Sequence, residues 1–395
     1  VNPEAFLEHW TRLSGRSYFV DFDPSAVPVM VFDGSSTYLF GAPTAPAGFQ
    51  ARGAWFEHAG RFDAVTANTA TDGTALVMHD DPEEAAVIAV HEAFHVFQGQ
   101  RFPHWGANEM LALTYPVTDA EALALRRLET IALHRALENL DQGWALEMLR
   151  IRAQRFAIIG AAAARFEQDL ERHEGLALYV ELQAREVHHR LPLEDFPAEA
   201  VRFRAYATGQ ALGRLLETWR PDWQRAVRDA SLDDLLRATL TATDAPARTL
   251  APVVVQRETR RASFAVADIH ASRTRDRDEF HSSAAPLLVV HSDKPLHPQG
   301  FDPMNLRVLM VSELLHKRFL RLGNTAGHVQ TLGVAAITHG DPFAGTLHHL
   351  EIALNAEPDV LHGDGVLELR GEGLELRFAG GSLEREPKRW TVRLG

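Results

Sequence analysis

The sequence predicts an α+β fold, and three observations carry that expectation. Residues 1 to about 80 gather β-branched and aromatic residues between Asp-Gly and Pro turn signals. Residues 81 to about 245 are rich in Ala, Leu, Arg and Glu, with few Gly or Pro inside the runs, which is helical texture. From about residue 246 the chain turns to short strand-like runs and hairpin signals. The expected organisation is a small N-terminal β-rich unit (1–80), a helical domain (81–245) and a C-terminal β-rich domain (246–395).

The elements follow in order. Pro3 to Leu13 reads as a short helix. Val27 to Phe32, Asp33-Gly34-Ser35 and Thr37 to Phe40 read as a hairpin, and Thr74 to Met78 as a further strand after Asp72-Gly73. The next helix has clear start chemistry: Asp81 caps, Pro82 takes the first helical position, and Glu83 and Glu84 complement the positive helix end. It is expected to run to about Gln100 and stop before Pro103. A second helix is expected over 118–140. Gly143 to Arg190 is helical in pattern, either one long helix or two broken near Gly160, and another helix runs from Ala205 to Trp219. Pro252 to Gln256 and Leu287 to His291 read as strands, and Leu306 to Leu322 as a helix. Val366 to Arg370, Gly371-Glu372-Gly373 and Leu374 to Phe378 form a hairpin signal, with Trp390 to Leu394 as a last strand.

Composition excludes several classes. At 395 residues the chain can bury a sizeable core. It has no cysteine, which removes disulfide scaffolds, thiolate metal sites, iron–sulfur clusters and cysteine nucleophiles. A metal site must therefore use His, Asp or Glu. The 40 basic against 53 acidic residues, net charge -13, argue against nucleic acid and anionic membranes as partners. The most apolar stretch, Phe156 to Ala164, is flanked by Arg155 and Arg165 and is too short for a membrane span, which takes roughly 20 apolar residues. A start at Val1 fits a removed leader and a trimmed chain alike, so the compartment stays open, as does the oligomeric state.

The helix after Asp81 contains His91-Glu92-Ala93-Phe94-His95, an H-E-x-x-H pattern. Helical spacing puts His91 and His95 one turn apart on one face, where both imidazoles can reach one zinc ion. Glu92 follows the first of them and is placed to take a proton from a water at the ion. The preceding run Val87, Ile88, Ala89 and Val90 predicts a buried helix. Two His and a Glu are costly to bury without a partner, which favours a metal over a plain core helix.

A third ligand is needed. A metzincin continuation would place His at position 101, where this chain has Arg101. A later glutamate is the remaining option: Glu109, Glu121, Glu129 or Glu174. Glu174 leads. It precedes Gly175, and a glycine inside a helix costs about 1 kcal/mol relative to Ala, so it asks for a close helix approach. Gly175 and Ala177 would let the motif helix rest there. Glu181 shares a face with Glu174, so that one carboxylate could ligate while the other orients a histidine. Glu121 or Glu129 as the true third ligand stays open.

His91-Glu92-x-x-His95 followed by Glu174-Gly175-x-Ala177-x-Tyr179-x-Glu181 resembles the glutamate-zincin metallopeptidases, and most of all bacterial peptidase-related proteins with an E-G-x-A-x-Y-x-E helix. Thermolysin-like relatives place the third Glu sooner; here it comes 79 positions after His95. The resemblance covers the two motif helices well, residues 80 to 220 weakly and the C-terminal zone not at all. It implies a zincin-like catalytic domain with one zinc per chain. His91, His95 and Glu174 would be the ligands, Glu92 the general base, and the N-terminal strands an edge where a peptide or protein substrate adds as a strand. It also points to Tyr206, shortly before Gly209, as donor to the oxyanion, with Tyr179 turned elsewhere on its helix. Arg202 and Arg204 are candidates for a substrate carboxylate. The expected activity is zinc-dependent peptide hydrolysis. Hydrolysis of another amide or ester, and peptide binding without turnover by a zinc-stabilised protein, are the alternatives.

The remaining histidine pairs carry less. His188-His189 ends a helix, and His348-His349 lies in a strand with its side chains on opposite faces, so neither has metal-ligand spacing by itself. There is no G-x-S-x-G elbow, P-loop or dinucleotide fingerprint.

Overall fold

The computed structural model describes residues 1–65, 67–187, 191–241, 245–282, 286–302, 305–310, 312–340, 346–363 and 365–395. It is a mixed α+β protein whose contacts divide it into two units, Val1–Val266 and Ala267–Gly395. His188 and His189 lie outside the described residues.

The first unit opens with helix α1 (Pro3–Ser14), capped by the Asn2 side chain on the Glu4 and Ala5 amides at 3.0 and 3.1 Å. A six-stranded sheet follows: β1 (Val29–Phe32), β2 (Ser36–Phe40), β3 (Gln50–Ala51), β4 (Trp55–Ala59), β5 (Thr69–Thr71) and β6 (Thr74–Met78), in the order β3-β4-β2-β1-β6-β5. The expected hairpin is β1–β2, and the expected strand 74–78 is β6, paired parallel to β1. Helix α2 (Pro82–Arg101) starts on Asp81, which accepts from the Glu83 and Glu84 amides at 3.0 and 2.9 Å. It packs against α1, β5 and β6 and is buried on nearly every side. Then come α3 (Ala120–Asn139), α4 (Gln142–Leu170), a π turn (Glu171–Gly175), α5 (Leu176–Ala184), α6 (Val201–Trp219), α7 (Trp223–Ala226) and α8 (Leu232–Thr241). Gly160, at φ 82°, interrupts α4 as its position suggested. Residues 1–80 and the helices share one core, in which Phe6, Phe40 and Val77 pack with Ala86, Phe94, Leu133 and Leu212.

Helix α9 (Pro252–Ser282) corrects one expectation. Val253 to Val255 read as a strand because they are β-branched, but Pro252 occupies the first helical turn, where its missing N–H costs nothing, and the run continues as helix.

The second unit is a strand assembly: β7 (Leu287–Phe301), β8 (Leu306–Met310), β9 (Glu313–His316), β10 (Phe319–Asn324), β11 (Gly327–Leu332), β12 (Ala336–His339), β13 (Leu347–Ala353), β14 (Asp359–Gly363), β15 (Val366–Gly371), β16 (Leu374–Ala379), β17 (Ser382–Glu386) and β18 (Arg389–Leu394). The main order is β14-β15-β16-β11-β10-β7-β13-β12-β9-β8, with β18 added parallel to β7. Residues 306–322, expected as a helix, are β8, β9 and part of β10. Their apolar spacing resembles a helix, but pairing of β9 to β12 and of β10 to β7 decides the conformation. The C-terminal hairpin is β15–β16, turning at Gly373 with φ 72°.

Candidate metal centre

Helix α2, the π turn and α6 bring the expected residues together. His91 and His95 lie one turn apart on α2, and their Nε2 atoms are 3.1 Å from each other. The Glu174 Oε2 lies 3.3 Å from the His95 Nε2. All three side chains are nearly enclosed, at 11, 10 and 7% exposure. Their ligand atoms lie within 4.8 Å of one another.

The hydrogen bonds around the rings fix their tautomers. The Gln98 Nε2 donates to the Arg172 and His173 carbonyls at 3.1 and 2.9 Å, so its Oε1 is the atom facing the His95 Nδ1 at 2.8 Å. That oxygen only accepts; the His95 Nδ1 therefore carries the proton. The His91 Nδ1 likewise donates to the Glu181 Oε2 at 2.9 Å. Burial works to raise Glu181, but the His91 and Arg185 bonds outweigh it and hold the carboxyl below its usual range. With both Nδ1 atoms as donors, the two Nε2 atoms are turned inward. They face each other and the Glu174 Oε2, a donor set that either a shared proton or a cation holds together. Ligands at about 2.0–2.2 Å from a tetrahedral zinc stand roughly 3.3–3.6 Å apart; the His95–Glu174 separation of 3.3 Å meets that range, and the His91–His95 separation of 3.1 Å is a little shorter, at hydrogen-bond length.

The other Glu174 oxygen, Oε1, accepts from Arg202 at 2.6 Å, and the same guanidinium donates to the Tyr206 hydroxyl at 3.3 Å. Burial would raise Glu174, and its interactions with His95, Tyr206 and Arg202 hold it far below the carboxylate range. Tyr206 lies in the second turn of α6, its ring parallel to that of His91 at 6.4 Å. Burial and the neighbouring Glu174 raise its phenol. Burial pushes Glu92 up to about 7; His95 opposes this, while Glu174 and Glu181 add to it.

The close approach at Gly175 is to α6, not to the motif helix. A Cβ on Gly175 would lie 2.6 Å from the Gly209 Cα and 3.0 Å from the Ala205 carbonyl. The π turn that precedes this contact turns Glu171 and Glu174 in different directions. Glu171 is held by Arg152 at 2.7 and 2.8 Å and by Thr208, while Glu174 faces the histidines.

The other glutamates stand apart. Glu121 is exposed at the start of α3. Glu129 is fully buried, bonded by Arg152, Arg155 and Arg204. Glu109 is exposed and reaches the centre only through its ion pair with Arg202. Arg204 is not open to a substrate: it joins a buried network in which Arg126, Arg152, Arg155 and Arg204 meet Glu129, Glu167, Glu171 and Asp195. Tyr179 is buried edge-on against Trp223. A cavity of about 790 Å³ between α3, α5 and α6, lined by His134, Leu182 and Arg214, does not include the centre.

Two neighbours were not singled out from the sequence. Gln98, three residues after His95 on the same helix face, had a readable position. His173 packs against His95, ring centres 4.5 Å apart and planes tilted by 37°, and burial pushes it down to about 4. Compared with protein-family models, curated proteins and solved structures, the chain matches none.

Proposed function

We propose that the chain is a zinc-dependent metallohydrolase, in the first place a peptidase, with His91, His95 and Glu174 holding the ion. The observation that supports it is the convergence of two Nε2 atoms, turned inward by their Nδ1 bonds, on a carboxylate held ionised. Glu92, buried beside them, gives the set a use beyond structure.

A zinc ion held by His91, His95 and Glu174 would supply Lewis acidity toward a water and a carbonyl. Glu92 would take the water's proton and deliver it to the leaving nitrogen, a role suited to a carboxylate raised toward neutral pH. Glu181 and Gln98 hold the two rings in the tautomer that presents Nε2. Tyr206 keeps its proton and would turn that O–H to the developing oxyanion. The outer strand β5, beside α2, is the edge to which an extended substrate chain would add.

A second reading, a zinc-stabilised peptide-binding protein without turnover, draws on the closure of the centre and the Arg202 bond to Glu174. Glu92→Gln separates the two. The variant is expected to keep zinc and lose peptide hydrolysis by about 10²–10⁴-fold, as loss of a general base does. Hydrolysis unchanged in that variant would refute the catalytic assignment. A wild type that hydrolyses no member of a peptide library while holding zinc would favour the second reading.

A further inference from the structure

The second unit holds a separate cluster of metal-ligating side chains. His339 on β12 lies directly opposite His349 on β13, which lies opposite His291 on β7. Glu313 of β9 stands opposite His339 on its other side. Directly opposed residues on neighbouring strands share a face. The three imidazoles stack accordingly, at 4.3 Å between His339 and His349 and 4.7 Å between His349 and His291. Glu351, two residues beyond His349, projects from that same face. Its Oε1 is 3.6 Å from the His349 Nε2 and its Oε2 is 3.8 Å from the His339 Nε2.

Both Nε2 atoms are buried and lack a hydrogen-bond partner. The separations distinguish a hydrogen bond from an ion. An N–H···O bond spans about 2.7–3.2 Å. Two ligands of a tetrahedral zinc stand roughly 3.3–3.6 Å apart. The observed values lie outside the first range and within a few tenths of an ångström of the second. The side chains of His339 and His349 are 23 and 31% exposed, so an ion has a way in.

Two further contacts complete the cluster. On α9, the His281 Nδ1 lies 2.8 Å from the Arg277 carbonyl, which only accepts, so this nitrogen carries a proton. The His281 Nε2 lies 2.8 Å from the Glu351 Oε2, at hydrogen-bond distance, which brings a third imidazole from α9 up to the carboxylate. The Glu313 Oε1 lies 3.7 Å from the His339 Nδ1, and Arg277 holds Glu313 at 2.8 and 3.1 Å. The 3.7 Å separation is longer than a hydrogen bond, so Glu313 stands beside His339 as a nearby carboxylate.

We propose that His339, His349 and Glu351 form a second divalent-metal site, with His281 as an adjacent donor and Glu313 as a further carboxylate beside it. Two imidazoles and a carboxylate select zinc or a neighbouring late first-row ion. The ion ties β12, β13 and the C-terminal turn of α9 together and stabilises that unit by mass action.

The test uses the full chain carrying His91→Ala and His95→Ala, which disables the first centre. It is titrated with Zn²⁺ by calorimetry and with Co²⁺ by visible absorption. Binding of about one ion per chain, with the d–d bands of a four-coordinate cobalt site, is the expected result. Adding His349→Ala abolishes both signals. The isosteric Glu351→Gln reads the same loss should His349→Ala fail to fold. No ion bound by the His91→Ala/His95→Ala chain would overturn the proposal, as would binding that survives both Glu351→Gln and His349→Ala.

Discussion

The contact between Gly175 and Gly209 sets how closely the π turn and α6 approach, and substituting either glycine has a calculable effect. A Cβ on Gly175 would stand 2.6 Å from the Gly209 Cα, and one on Gly209 would stand 2.8 Å from the Gly175 Cα. Carbon atoms rest at about 3.5–4.0 Å, so each Ala variant forces the two segments apart by roughly 1 Å. The 2.6 Å bond from Arg202 to Glu174 crosses this gap. Opening by about 1 Å takes it beyond hydrogen-bond range. Overpacking of this kind costs about 1–3 kcal/mol. Urea unfolding of Gly175→Ala and Gly209→Ala measures the stability loss, and chelator competition measures zinc affinity, which should fall in both. Gly99→Ala is the control: Gly99 lies in α2 with nothing within 4 Å of its added Cβ, and should be neutral or gain up to about 1 kcal/mol. The double variant should cost less than the sum, since the first Cβ already opens the gap for the second. Wild-type midpoints and zinc affinity in both single variants would refute the reasoning.

Three further outcomes are expected. Glu181→Gln should keep the fold and weaken zinc binding at the first centre by about 10–100-fold, read by chelator competition. Glu129→Gln should cost about 3–5 kcal/mol in urea unfolding, because Arg152, Arg155 and Arg204 lose the carboxylate they share; an unchanged midpoint would show that the network carries no weight. The pH dependence of the second unit should show His316. Burial pushes its imidazole down to about 4, so the folded unit keeps it neutral while the unfolded chain takes a proton near 6.5. Stability is therefore complete above pH 6.5 and falls between 6.5 and 4, by up to about 3 kcal/mol. Chemical unfolding across that range, with chelator present, should lose this slope in His316→Leu.

What was legible in the sequence is what depends on local spacing. The start of α2 follows from Asp81-Pro82, and the facing of His91 and His95 from helical periodicity, which needs no tertiary knowledge. Glu174 could be singled out because Gly175 is costly in a helix, yet the partner of that glycine could not: the motif helix seemed the natural neighbour, and only the crossing of α6 names Gly209. Arg204 looked like a surface arginine because nothing local marks a residue that will be neutralised by Glu129 and Asp195. Residues 252–256 and 306–322 were misread for a related reason. Their local preference is weak or contrary, and distant pairing or the continuation of α9 decides. The cluster of His339, His349 and Glu351 shows the limit most clearly. His348-His349 has no ligand spacing along the chain, and its metal-like geometry exists only through the register that sets His339 against His349.

The central claim is that His91, His95 and Glu174 hold one ion. The most direct measurement is zinc per chain, by elemental analysis, in protein purified without chelator and carrying His339→Ala and His349→Ala so that only the first centre counts. The account predicts about one zinc per chain and its loss when Glu174→Ala is added. No zinc even when the metal is offered, or equal zinc with and without Glu174, would contradict it.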